Sequence, residues 1–138
     1  MIPARPLPEW MPSEAAGAAV LETGRWWDAV RQRDLEGLVT VEALRRRGPV
    51  IRNQVNGTFA WLIPIGAADG WSLPDHTEVL SGGRRLAVPA ASLVHTAWTG
   101  GLGVAGPATS WYVRPEGDCL TDPDALHRAL HVAAAAPR

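Results

Sequence analysis

The sequence predicts an α+β fold: a mainly antiparallel sheet built from consecutive hairpins and covered by two or three helices. Three observations lead there. Val50–Gln54 and Thr58–Ile63 are β-prone runs on either side of Val55-Asn56-Gly57, and Asn-Gly between such runs is the strongest short-range hairpin signal because both residues tolerate positive φ. Thr77–Leu80 and Arg84–Val88 flank Ser81-Gly82-Gly83 and repeat the strand, turn, strand pattern. Thr121-Asp122-Pro123-Asp124 then opens a helix with an N-cap acid, a proline at the first position and a second acid in the first turn.

Taken in order, residues 1–12 are rich in proline and read as a flexible arm, with residues 13–138 as a single domain. Trp10 is the exception within the arm, because an aromatic in a tail tends to dock. Ser13 followed by Glu14 caps a helix that runs to Thr23 and stops at Gly24. The stretch Gly24–Arg31 suits a strand by its Trp-Trp and Val content and a helix face by the spacing of Trp26 and Val30. A strand joining the hairpin sheet is the expectation.

Arg31–Gly37 reads as a charged connection, after which Thr40 caps a short helix ending at Arg45-Arg46-Arg47, closed by Gly48-Pro49. The run Thr58–Ile63 is apolar almost throughout, as a strand covered on both faces should be, and Pro64 ends it. Ile65–Pro74 is a loop that pins Trp71 to the core. Ala90–Ser110 is a glycine-rich loop long enough to suggest function. Ser110–Arg114 makes a last strand, and the final helix buries Leu126, Leu130 and Ala133.

Composition narrows the function classes. A net charge of -1 with 20% charged residues gives no global field toward nucleic acid or membrane. One cysteine among 138 residues permits no internal disulfide. Neither a leader nor an apolar run of membrane-spanning length is evident, so a cytoplasmic protein is expected. All 13 basic residues are arginine, which with the many alanines reflects a GC-rich genome. Seven tryptophans are chiefly core residues, as large buried rings usually are.

Several constellations could carry chemistry. Ser81-Gly82-Gly83-Arg84-Arg85 offers glycine amides and two guanidiniums to an anion such as phosphate, although it lacks the spacing and terminal Lys-Ser/Thr of a P-loop. Arg25, Arg31, Arg45–Arg47, Arg84 and Arg85 would form a nucleotide or single-strand platform if the fold brought them together with a tryptophan. Glu116, Asp118, Asp122 and Asp124 could hold a divalent metal, but capping of the last helix accounts for the pair at 122 and 124. His127 and His131 have metal-sharing spacing on that helix; a solvated flank is the simpler account, since no third side-chain ligand is fixed. No cofactor or metal is therefore assigned.

The run Gly82–Ser92, followed after the glycine-rich loop by Trp111-Tyr112-Val113-Arg114-Pro115, resembles the Gly-Gly, aliphatic strand, Pro-Pro-Ser and later Tyr-x-Trp pattern of the bifunctional DNA primase/polymerase N-terminal domain. Arg25-Trp26-Trp27-Asp28-Ala29-Val30-Arg31 and the Trp61–Pro64 strand are similar to segments of small primase/polymerase-like proteins of actinomycetes. The resemblance spans residues 25–130. Active members of that family carry an acid pair on a core strand and a histidine after a Ser-Gly-Gly-type segment. Here Arg84 stands in the histidine's place and no preceding strand holds the pair.

What the resemblance implies is a non-catalytic domain that binds a nucleotide, a nucleic-acid end or a protein partner. Gly82, Gly83, Arg84, Arg85, Arg25 and Trp111 are the ligand-binding candidates. Two rivals remain. One is a small biosynthetic enzyme with a tryptophan-rich pocket, the glycine-rich loop as lid and His76 or His95 as acid/base. The other is a homo-oligomeric assembly protein anchored by exposed tryptophans such as Trp10.

Overall fold

The computed structural model describes residues 6–95 and 108–135. In chain order the elements are β1 (Ala18–Glu22), β2 (Asp28–Arg33), α1 (Asp34–Ala43), β3 (Val50–Asn53), β4 (Thr58–Ile63), β5 (Thr77–Leu80), β6 (Arg85–Pro89), β7 (Thr109–Val113) and α2 (Pro123–Ala135). Strands β5-β2-β4-β3-β7 form a five-stranded sheet, β1 and β6 a second sheet of two, and every ladder is antiparallel. With two helices this is the α+β fold the sequence predicts.

The central strand β4 divides the core. Its side chains alternate across the sheet: Phe59, Trp61 and Ile63 pack with Val41 and Leu44 at α1 and with Leu126, Ala129 and Leu130 of α2. Ala60 and Leu62 face the other way, toward Leu86 and Val88 of β6 and toward Trp10, Trp27 and Trp111. Every residue of β4 is buried, which is why the run reads as continuously apolar rather than alternating.

The predicted hairpin forms with Val50 opposite Trp61 and Asn53 opposite Thr58. Its loop spans residues 54–57, with the Asn56 amide donating to Asn53 Oδ1 at 2.9 Å. Helix α2 begins as expected: Asp122 Oδ2 accepts the Ala125 amide at 3.0 Å, and Leu126, Ala129, Leu130 and Ala133 are its buried residues. Of the stretch Gly24–Arg31 expected as a strand, only Asp28 onward is one, as the start of β2, which joins the hairpin sheet through β4; 24–27 turn the chain into it.

Three expectations are corrected. The helix predicted over 13–23 does not form. Ser13 does cap a turn, its Oγ accepting the Ala16 amide at 3.2 Å, but Gly17 takes φ +72°. The chain then leaves as β1, whose exposure alternates with period two. Pairing with β6, from Ala18 opposite Pro89 to Glu22 opposite Arg85, overrides the helical propensity of an Ala-rich run.

The second strand pair is likewise not a hairpin. β5 pairs with β2, Ala29 opposite Leu80, and the Gly82-Gly83 turn carries the chain out of that sheet into the other. Leu86 and Val88 can then face the tryptophan core.

Thr40 is not a helix cap, and 31–37 is not a connection. β2 runs to Arg33 and α1 follows at once with Asp34 and Glu36 in its first turn, where negative charge suits the helix dipole. Gly37 belongs inside this helix because a Cβ there would lie 2.5 Å from Phe59 Cδ2. The helix closes before Arg45 and Arg46, both at φ +55°, so the arginine triplet lies beyond its last turn. Thr40 Oγ1 donates to the buried Gln32 side chain, whose Nε2 donates to Thr77 Oγ1 at 3.0 Å. This polar thread joins α1, β2 and β5.

Within the arm expected over 1–12, Trp10 docks, as an aromatic there is expected to. The Met11 amide donates to Pro8 O at 3.0 Å, and Trp10 is only 6% exposed. Its ring centroid lies 5.9 Å from Trp27 in edge-on contact and 6.1 Å from Trp111.

Candidate functional site

The helix-free face of the five-stranded sheet is covered only in part. Beyond Leu86 the two-stranded sheet leaves a groove over β2, β3 and β4, of about 230 Å³, lined by Arg31, Asn53, Asn56, Thr58, Arg85 and Leu86 among others. The groove exists because the register places small Ala60 beside Arg31. A second hollow of about 250 Å³ shares Arg31 and Thr58 with the groove and adds Arg33, His76, Thr77 and Glu78.

Arg31 is the hinge of this surface. Its Nε donates to Glu78 Oε1 at 2.8 Å, and its Nη2 makes a closer contact with the same oxygen. Arg84 Nη2 reaches Glu78 Oε2 at 3.4 Å from the opposite side. Burial alone would raise the Glu78 carboxyl, but the hydrogen bond and charge of Arg31, joined by Arg84, outweigh it and hold its pKa below the ordinary carboxylate value. One carboxylate is thus shared between two guanidiniums. With Arg33 and Arg85 alongside, and Glu22 opposite Arg85 in the β1/β6 register, the surface keeps an excess of positive charge.

The predicted site residues divide. Arg85 lines the groove, while Arg84 reaches Glu78 of the adjoining hollow. Gly82 and Gly83 sit in the exposed turn at its end, but the Gly83 amide already donates to Thr23 O at 3.1 Å, which leaves less of an anion nest than expected. Arg25 lies over the Trp26 ring at 4.2 Å. It is one residue from Gly24, which packs on the Gly82-Gly83 turn.

Trp111 is not a surface platform. It is fully buried, and its Nε1 donates to Pro89 O at 3.0 Å. Trp10 is buried with it and so cannot serve as the exposed anchor of the assembly reading. Arg46 stands apart from the groove, over the Tyr112 ring at 5.2 Å.

The two histidines of the enzyme reading are far from equivalent. His76 is exposed, with Nδ1 2.9 Å from Arg33 Nη1. His95 packs at 5.2 Å from Tyr112, and burial, aided by the Arg52 charge, lowers its pKa below the usual imidazole value. A histidine held neutral in the fold contributes stability above its unfolded pKa of about 6.5 and loses it as the pH falls below that value. His95→Phe should therefore flatten the acid side of the stability profile. Urea midpoints between about pH 7.5 and 5 would show this, and an unchanged slope would exclude His95 as a source.

The glycine-rich loop predicted as a lid lies largely at 96–107, outside the described residues. Sequence reasoning missed Arg33, Asn53, Asn56 and Thr58, because polar residues of a strand or of its turn look the same whether they face bulk water or a groove. Among the described residues no three His, Cys, Asp or Glu side chains group to hold a metal, and no helix is long and apolar enough to cross a membrane. Comparison of the chain with protein-family models, curated proteins and solved structures finds no match in any of the three.

Proposed function

We propose that this chain is a non-catalytic domain of primase/polymerase-like ancestry that binds a nucleotide or a nucleic-acid end in the arginine groove. The observation that carries the reading is the meeting of Arg31 and Arg85 on one concave surface, furnished with Asn53, Asn56 and Thr58 as hydrogen-bonding groups, with Arg84 reaching Glu78 in the adjoining hollow. Guanidiniums match phosphate oxygens in bidentate geometry, and a carboxylate shared between two of them is a placeholder that an anion can displace. The acid nearest these arginines, Glu78, is already neutralised by them and so is poorly suited to holding a catalytic metal.

Calorimetric titration with nucleoside triphosphates and short single-stranded DNA tests the proposal. Saturable binding that weakens with salt is expected. The double variant Arg84→Ala/Arg85→Ala should lose at least about 1.4 kcal/mol, a tenfold change, with its circular dichroism unaltered. Glu78→Gln should bind more tightly, because Arg31 and Arg84 lose their internal competitor. An absence of binding at low salt, or equal affinity in all three proteins, would overturn the assignment.

A further inference from the structure

Away from the groove, the loop before β5 meets the outer flank of α2. His127 and His131, one turn apart, bring their Nε2 atoms to 3.3 Å from each other. The Ser72 carbonyl oxygen lies 3.3 Å from His127 Nε2 and 3.1 Å from His131 Nε2. The three atoms form a nearly equilateral triangle. Trp71, the residue before Ser72, stacks on the His127 ring at 4.4 Å with an interplanar angle of 10°. The same loop therefore supplies the carbonyl and fixes the ring.

One proton arrangement satisfies this triangle without a metal, with both Nε2–H groups donating to the two lone pairs of the Ser72 carbonyl; with bare Nε2 atoms the triangle presents three donors to a cation. A neutral imidazole has one N–H and one bare nitrogen, and a carbonyl only accepts. With neither Nε2 protonated, three lone pairs converge. With one protonated, the remaining nitrogen's lone pair still faces the carbonyl.

A cation at the apex satisfies all three at once. Tetrahedral zinc with bonds of about 2.0–2.1 Å spaces its ligands about 3.3 Å apart, the edge of this triangle. Imidazole nitrogen selects zinc, cobalt, nickel or copper over magnesium and calcium.

We propose that His127, His131 and the Ser72 carbonyl form a site for one divalent transition metal of the zinc class, with water completing the tetrahedron. The metal clips the loop over residues 64–76 to α2. The donors carry no formal charge and sit at the surface, so affinity should be in the micromolar range rather than that of a buried structural zinc.

The test titrates zinc and cobalt chloride into the tag-free full chain carrying Cys119→Ser, which removes the one thiolate competitor. One saturable equivalent is expected, with the Nε2 resonances of His127 and His131 moving together in long-range nitrogen–proton NMR spectra. His127→Ala and His131→Ala should each weaken binding at least about tenfold. The NMR arm needs no histidine substitution and so stands even if a variant folds poorly. No saturable binding, unmoved Nε2 resonances, or undiminished binding in the double histidine variant would each overturn the proposal.

Discussion

Trp111→Ala should destabilise the fold by about 3–5 kcal/mol, the cost of truncating a large buried aromatic. For a domain whose total stability is of order 5–15 kcal/mol, that is enough to bring it near unfolding. Trp111 is fully buried on β7 and packs in the core between the two sheets. Its indole N–H donates to Pro89 at the end of β6, and Trp10 of the arm leans on its ring. Removal opens a cavity, leaves the Pro89 carbonyl without that donor, and takes away one of the rings that hold the arm.

Two companion variants separate these effects. Trp111→Phe should cost less, because most of the volume is retained. Trp10→Ala combined with Trp111→Ala should be less destabilising than the sum of the two, since the rings share a contact. Urea denaturation provides the measurement. A loss below about 1 kcal/mol for Trp111→Ala would mean that the tryptophan core is not what joins the sheets.

Gly48→Ala is the second large effect, at about 2–5 kcal/mol. Gly48 has φ +84°, and a Cβ there would sit 2.2 Å from Thr121 Oγ1 and 2.9 Å from Thr121 Cα. The left-handed conformation costs an L-residue about 1–2 kcal/mol, and forcing atoms into a filled space costs about 1–3 kcal/mol more. Thr121 cannot easily yield, because its amide donates to Leu62 O at 2.8 Å on the central strand and Asp122 beside it caps α2.

Gly70→Ala is the control. Gly70 has φ +77° with nothing within 4 Å of the added methyl, so it should lose only the conformational share, about 1–2 kcal/mol. If the two variants melted alike, the close approach of the 48–49 turn to the start of α2 would be refuted.

These two sites mark the difference between local and long-range information. The Val50–Ile63 hairpin and the start of α2 were legible because a few adjacent residues specify them: an Asn-Gly turn in one case, Asp-Pro-Asp in the other. The full burial of Thr58–Ile63 was legible for a similar reason, since a strand covered on both faces has no polar alternate. α1 was not, because Leu35, Leu38 and Val39 are exposed on it while Gly37 and Thr40 are buried, which inverts the usual amphipathic pattern. Only the Phe59 ring above Gly37 and the Gln32 side chain beside Thr40 explain that inversion, and both come from other elements.

The candidate site follows the same division. Arg84 and Arg85 could be singled out beside a glycine turn. Their relation to Arg31 depends on strand register set far along the chain, on Arg31 lying opposite both Ala60 and Glu78. The histidine triangle depends equally on a loop carbonyl, which no side-chain motif can announce. By itself, then, the chain determined which segments are strands at its centre, where the hairpin turns, and how the last helix begins. The tertiary structure decided that 18–22 is a strand, that β5 and β6 part company, and which polar groups face one another. Those outcomes rest on hydrogen-bond partners and buried surface supplied by distant segments, and such partners exist only once the sheets have formed.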